Sequence, residues 1–367
     1  MNSLENFHAM MSGGRPGWLP FDLPTTEPVE KRIRKQLGLP SWEAFDTDFR
    51  DTSASYLGDD GAVWRPALED IGFQFPENSV VGRFGMACVR PPVETLGDAT
   101  HLTEMLHPLS VIEDVAQLEK LPWPDTSDPA HYAGYRKWRE DVQAAGKVAR
   151  AWQECTIFED TWYLRGMDNV FCDWADGNPV SDWLLDYFTG RSIHNCRALA
   201  RAGFDMIKLG DDVGMQNSML LSMETWRRHL KPRLKRVIDA IREVSEGRKV
   251  WVQYHSDGDV TPLVDDLIEI GVDILNPVQP ECMDLEAVAA QYQDRLAFSG
   301  MIGTQTTMPF GTPDDVRAAV VRCRRLHENG ARVIVAPTHV LEPDVPWENI
   351  VAFVEAVRSR PHQAVAK

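Results

Sequence analysis

The strongest constraint on this chain is a repeated form in its second half: an amphipathic helical stretch, a glycine, then a short β-branched run. It reads "RAGFDMIKLGDD" at 201–212, "EIGVDILNPVQP" at 269–280 and "ENGARVIVAPTH" at 328–339, with "RKVWVQYHSDGD" (248–259) and "DRLAFSGMIGTQ" (294–305) between. Short continuous apolar strands separated by helices predict βαβ units and a parallel sheet covered on both faces. Glycine after each helix suits the left-handed cap position.

Strand starts are expected near 148, 205, 249, 273, 296 and 332, and "WLPFDL" (18–23) makes a seventh. The gaps are long enough for right-handed crossovers, so the expected fold is α/β, a (β/α)8 TIM-type barrel with its eighth strand unassigned. A doubly wound sheet is the alternative, but no strand is followed by the GxGxxG of a dinucleotide-binding version. Residues 1–145 are less regular and read as an N-terminal elaboration capping the barrel, with 146–360 as the regular units. Within them, 107–132 combines a short helix with a proline-punctuated loop. One domain over 1–367 is expected, with a frayed tail at 360–367.

A hydrophobic fraction of 43% is ample for a core. The formal charge of −17 argues against an extended nucleic-acid or anionic-membrane surface. The first twenty residues lack a basic region followed by an apolar one, and no run is long enough to span a bilayer, so a cytoplasmic protein is expected. Six cysteines without a CxxC pair suggest reduced thiols, mostly in the core.

Barrel chemistry sits at the carboxyl ends of the strands. Glu154 follows "VARAWQ", Asp211 and Asp212 follow "DMIKLG", and His255 and Asp257 follow "VWVQY". Asn276 and Gln279 end the next strand, Thr304 and Gln305 the one after, and Thr338 and His339 the last. Asp211 and Asp212 are either helix-capping or Asx-turn residues, or a carboxylate pair whose repulsion makes one a general acid. Together with Glu154 and His255 they are the catalytic candidates. Asn276, Gln279 and Gln305 read as substrate-binding, and Arg165 as an anchor for a carboxylate. His255 and His339 suit a metal with a third ligand from Asp257 or Glu154; the alternative is a hydrogen-bonded His–Asp pair without metal. The apolar spacing in 158–174 is mostly core packing, and the basic stretch 231–249 is a solvated helix face.

The blocks "GDDVGMQNSMLLSMETWRRHLKPRLKRVIDAIRE" (210–243), "HSDGDVTPLVDDLIEIGVDILNPVQPECMD" (255–284), "FSGMIGTQTTMPFGTPDDVRAAV" (298–320) and "VIVAPTHVLEPDVPWENIVAFVEAV" (333–357) resemble the uroporphyrinogen decarboxylase superfamily. "HPLSVIEDVAQLEKLPWPD" (107–125) resembles its N-terminal half. The resemblance implies a distorted (β/α)8 barrel, often dimeric. The MRQAGR and FxGxPxT motifs of true uroporphyrinogen decarboxylases are missing, so the arginines expected to hold a tetrapyrrole are too. The corrinoid-linked methyltransferase branch is the nearer likeness. Its coenzyme M enzymes carry HxC and a later cysteine as zinc ligands, and the matching positions here are His255, Asp257 and His339. Replacing two thiolates with carboxylate and imidazole leaves a harder site, better matched to an oxygen substrate.

These readings imply a metal-assisted methyltransferase with zinc, a small methoxylated or methylated substrate and a corrinoid-carrying partner protein. A metal-independent decarboxylase or lyase on a small carboxylate is the alternative, in which Asp211, Asp212 and His255 move protons. A third reading is a ligand-binding or corrinoid-docking barrel without activity.

Overall fold

The computed structural model describes residues 1–53, 61–89 and 104–359; the expected frayed tail lies outside them. Its strands are β1 (Phe49–Ser53), β2 (Ser79–Val81), β3 (Ala87–Val89), β4 (Glu104–Leu106), β5 (Val148–Glu154), β6 (Met206–Gly210), β7 (Trp251–His255), β8 (Ile274–Asn276), β9 (Ala297–Ser299) and β10 (Arg332–Ile334). Seven of them form one parallel sheet in the order β1, β5, β6, β7, β8, β9, β10. The six strands expected in the second half are therefore present, each within two residues of its expected start.

The segment at 20–22 closes the sheet into a distorted (β/α)8 barrel. Phe21 forms a parallel bridge with Val335, and the Asp48 amide donates to the Phe21 carbonyl at 3.2 Å, so this segment joins β10 to β1. Pro20 and Pro24 lack amide hydrogens, which keeps the contact short of a full strand. The eighth strand that the sequence left unassigned is β1, "FRDTS", whose polar residues hide it from a search for apolar runs. Part of the first 145 residues thus builds the barrel wall.

The remainder of that region forms the antiparallel sheet β2–β3–β4 with the helix Gly61–Asp70. Trp64, Leu68 and Phe84 pack there against Leu184 and Phe188 of the long helix Val180–Ala202. Within 107–132, the short helix is Val115–Leu118, capped by Asp114. Gly203, Gly271 and Gly330 follow their helices with φ of 93°, 102° and 110°, as the caps require. No helix among the described residues is long and apolar enough to cross a membrane. All six cysteines are free, but only Cys196 and Cys323 are buried, fewer than expected.

Strand alternation divides the barrel into layers. Ile207 and Leu209 of β6, and Val252 and Tyr254 of β7, point outward into the helix-packed core. The first inward residues of β1 and β5 to β9, Phe49, Val148, Met206, Trp251, Ile274 and Ala297, are apolar and are joined by Ile334 of β10, and Phe7, Met10 and Met11 of the N-terminal helix Ser3–Met11 pack onto that layer. Further along the strands the inward residues are Arg150, Lys208 and Gln253, then His255, Asn276 and Ser299. The lumen therefore changes from apolar to polar between its amino and carboxyl ends.

Candidate functional site

His255 is the last residue of β7 and reaches the cavity because Trp251, Gln253 and His255 share the inward face. The register sets it beside Asn276 of β8, whose Oδ1 lies 2.7 Å from His255 Nδ1. With an amide oxygen as partner, Nδ1 carries the hydrogen and Nε2 keeps its lone pair for the cavity. Asn276 Nδ2 donates in turn to Ser299 Oγ at 3.4 Å, which sets the sense of the amide. On the other side His255 pairs with Gly210, where a Cβ would stand 2.5 Å from the His255 carbonyl oxygen. Only glycine lets β6 approach there.

Asp257 follows two residues later, with its amide donating to Asp212 Oδ1 at 2.8 Å. Its Oδ1 is buried and has no hydrogen-bond partner. Burial raises the Asp257 carboxyl above its ordinary range, opposed by His255 and reinforced by Asp212. His339, past β10, completes the group: its ring centre lies 6.1 Å from that of His255, and one ligand atom each of His255, Asp257 and His339 fall within 4.8 Å of one another.

This group fits a divalent metal. Bonds of about 2.1 Å in a tetrahedron place ligand atoms roughly 3.4 Å apart, and His255 Nε2 lies 3.7 Å from Asp257 Oδ1. The orphaned carboxylate oxygen is the atom a cation would satisfy. Two imidazoles and one carboxylate suit zinc and leave a fourth position open.

Behind the group is a lumen cavity of about 150 Å³. Its wall includes Arg150, Trp152, Lys208 and Gln253, from the middles of strands rather than their ends. Arg150 is held by Asp22 and Asp51, while Lys208 Nζ sits 4.1 Å from the centre of the Trp152 ring. Gln253 Oε1 is buried without a hydrogen-bond partner. These residues stand mid-strand, away from the strand ends where barrel chemistry is expected from sequence. The available signal was a charged residue inside an otherwise apolar strand, as in "MIKLG" and "VARAW".

The adjacent aspartates have different roles. Asp211 is buried and accepts the amides of Ile157, Phe158 and Glu159 at 2.9–3.1 Å, capping the helix Phe158–Arg165. Burial raises its carboxyl to about 7. It does cap a helix, though not the one beginning near Ser222, which Ser222 caps itself. Asp212 is 44% exposed at the mouth, with Oδ1 3.9 Å from His255 Nε2. Glu159, not singled out from sequence, joins them: its Oε2 accepts from the Asp212 amide at 3.2 Å and its Oε1 from Tyr163 Oη at 2.9 Å. Burial, then the charges of Asp212 and Asp211, push Glu159 up to about 9, so it is protonated at neutral pH.

Other expected site residues lie apart. Arg165 is buried, with Nε and Nη2 on Asp173 and Nη1 on the carbonyls of Leu109 and Ile112, and it does not line the lumen. Gln279 braces a loop through the Gly258 amide at 3.2 Å, and Gln305 is exposed. Neither lines the lumen, whereas Asn276 does. Thr304 and Thr338 hydroxyls meet at 2.7 Å. Glu154 ends β5 opposite Gly210, and its side chain lies outside the described residues.

A closed parallel barrel with a His, Asp and His group at its carboxyl mouth defines the class. The family described as uroporphyrinogen decarboxylase (URO-D) matches residues 163–360, more than half of the sequence, and the chain belongs to it. The resemblance read from the sequence blocks is thereby upheld. A methyltransferase from Methanosarcina mazei shares the fold at a TM-score of 0.62 and 18% identity, over 97% of this chain and 98% of that one. A B12-independent methionine synthase from a Shewanella species, in complex with selenomethionine, aligns over 62% of this chain and 64% of its own at 11% identity; its TM-score of 0.41 falls short of a shared fold. None of the curated proteins compared matches the sequence.

Proposed function

We propose that this protein is a metal-assisted methyltransferase of the demethylase type, moving a methyl group from a small methoxylated or methylated substrate to a corrinoid carried by a partner protein. The observation that carries this reading is the buried, unpartnered Asp257 oxygen beside two imidazoles at the mouth of a small lumen. Family membership and the fold shared with the Methanosarcina mazei methyltransferase agree with it.

In the reaction the methyl carbon–oxygen bond breaks, the electron pair of the reduced corrinoid forms the new bond to carbon, and the departing oxygen takes up a proton. His255, Asp257 and His339 would hold a divalent ion, which would supply Lewis-acid polarisation of the substrate oxygen. Asn276 fixes the tautomer and direction of His255. Asp212, at the mouth and near His255, passes the proton, and the protonated Glu159 touching its backbone keeps a proton close by. The walls of the lumen hold a small substrate and exclude bulk water.

Metal analysis of protein purified without a histidine tag tests the site: stoichiometric zinc is expected in the wild type and none in His255→Ala. No stoichiometric metal in either overturns the metal assignment. Methyl transfer is tested by offering a methoxybenzoate with reduced cobalamin and following methylcobalamin formation. A metal-independent decarboxylase or lyase is the second reading, favoured by the buried Lys208 in the lumen as a partner for a substrate carboxylate. In that reaction Lys208 takes the anchoring role that Arg165 is not placed to fill, and carbon dioxide release without any corrinoid would select it.

A further inference from the structure

A second concave site lies at the opposite end of the barrel. A cleft of about 750 Å³ opens beside the starts of β6 and β7, and five cations line it: Arg136, Arg139, Arg201, Arg248 and Lys249. Two carboxylates, Asp205 and Glu246, share the wall, as does His8. Glu140 and Asp273 pair with Arg139 and Lys249 from just outside the wall, so the cleft keeps an excess of one positive charge in a chain whose formal charge is −17. A concave patch of one sign concentrates its field on a ligand of the other.

Internal contacts explain where some of these groups sit, and leave others without a partner. Arg139 Nε donates to the Ala202 carbonyl at 2.8 Å and Arg248 Nη2 to that of Ala200 at 2.9 Å, at the carboxyl end of the helix Val180–Ala202. Lys249 pairs with Asp273. Asp205 is occupied by the Ala149 amide, Gln143 and His8. Arg136 and Arg201 are exposed and, among the described residues, make no hydrogen bond or salt bridge. Between the two anchored guanidiniums lies Gly203, where a Cβ would stand 3.1 Å from Arg248 Nη1 and 3.3 Å from Arg139 Nε. The absent side chain leaves a cradle beside Arg248 Nη1, while Arg139 on its other side is held by Ala202, Gln143 and Glu140.

We propose that this cleft binds a small phosphorylated anion. Guanidinium forks match phosphate oxygens in bidentate geometry. A phosphoryl group carries about −1.5 to −2 at neutral pH, so it matches the two unpaired charges of Arg136 and Arg201, which one carboxylate cannot. The volume falls within the range of roughly 300–1,000 Å³ usual for small-molecule sites. Five-residue strands at about 3.3 Å per residue put the cleft on the order of 15 Å from the His255 group, so its ligand is separate from the substrate of the lumen. The assignment does not depend on the proposed methyl transfer.

The test is calorimetric titration of the full chain with pyrophosphate at low salt and with chelator present. Saturable binding is expected, weakening as sodium chloride is added, at least tenfold weaker in Arg136→Gln/Arg201→Gln, and unchanged in His255→Ala. Both substituted arginines are exposed and unpartnered, so the double variant should melt at the wild-type temperature. Absence of saturable pyrophosphate binding in the millimolar range overturns the proposal, as does binding that the double variant leaves intact. Preference for a glutamate-rich peptide over pyrophosphate also overturns it, and would assign the cleft to an acidic protein segment.

Discussion

The same strands build both ends of the lumen, yet the two ends have different tasks. At the amino end, Val148, Met206, Trp251 and Ile274 meet Phe7, Met10 and Met11 of the first helix in a dry plug. At the carboxyl end, β7 finishes on His255 and β8 on Asn276, and polar atoms outnumber their protein partners. The plug leaves one such atom, the Trp251 indole nitrogen, whereas the mouth and lumen leave the acceptors Asp257 Oδ1 and Gln253 Oε1; a buried carboxylate oxygen without a partner is costly, and it marks where a ligand is expected. The plug secures the barrel, and the mouth uses the rigidity so gained to hold its groups in place.

Substitution should separate the two ends. The largest effect is expected for His255→Ala, which should abolish zinc binding as read by metal content while leaving the metal-free melting temperature nearly unchanged. Met10→Ala should do the reverse, lowering unfolding stability by about 2–5 kcal/mol in urea titrations with zinc affinity intact. Equal loss of metal in both variants would mean that the mouth depends on the plug, and the contrast drawn above would fail. Arg165→Met should behave as a plug-like change. It leaves the buried Asp173 charge without its partner, at a cost of about 3–5 kcal/mol, with no change in metal content.

Asn276→Ala gives a smaller effect within the mouth. It removes the group that orients His255 and should weaken zinc binding by roughly 10–100-fold in competition titrations. The smallest effect concerns pH. Glu159 is raised to about 9 and Asp211 to about 7, so the folded chain retains protons that the unfolded chain has released. Their contribution to stability should therefore be fully present below the ordinary carboxyl range and be lost as pH rises from about 5 towards 9. Urea midpoints at intervals across that range should decline less steeply in Glu159→Gln than in the wild type; identical slopes would mean that Glu159 is ionised in the folded chain.

Legibility from sequence followed residue chemistry closely. "VWVQYH" is apolar enough to announce a buried strand, and the histidine at its end marks the mouth. The glycines at 203, 271 and 330 announced the helix ends, because left-handed backbone disfavours other residues. By contrast "FRDTS" conceals a barrel strand, since its Asp51 is there to hold Arg150 from the neighbouring strand, a pairing separated by 99 residues. Arg165 looked like a substrate anchor, but Asp173, eight residues further on, takes its fork. Glu159 looked like part of a packing helix until the fold set it against Asp212.

The sequence by itself determined the helices and strands of the second half, their order, and the set of polar residues delivered to the strand ends, because each rests on local periodicity and turn chemistry. Tertiary structure alone decided which of those residues meet. Whether Asp211 caps a helix or moves a proton, whether Asp257 keeps a free oxygen, and whether five cations scattered between residues 136 and 249 converge on one cleft all depend on register and burial across distant segments. Those distances set the local field and solvation, and with them the chemistry each side chain can perform.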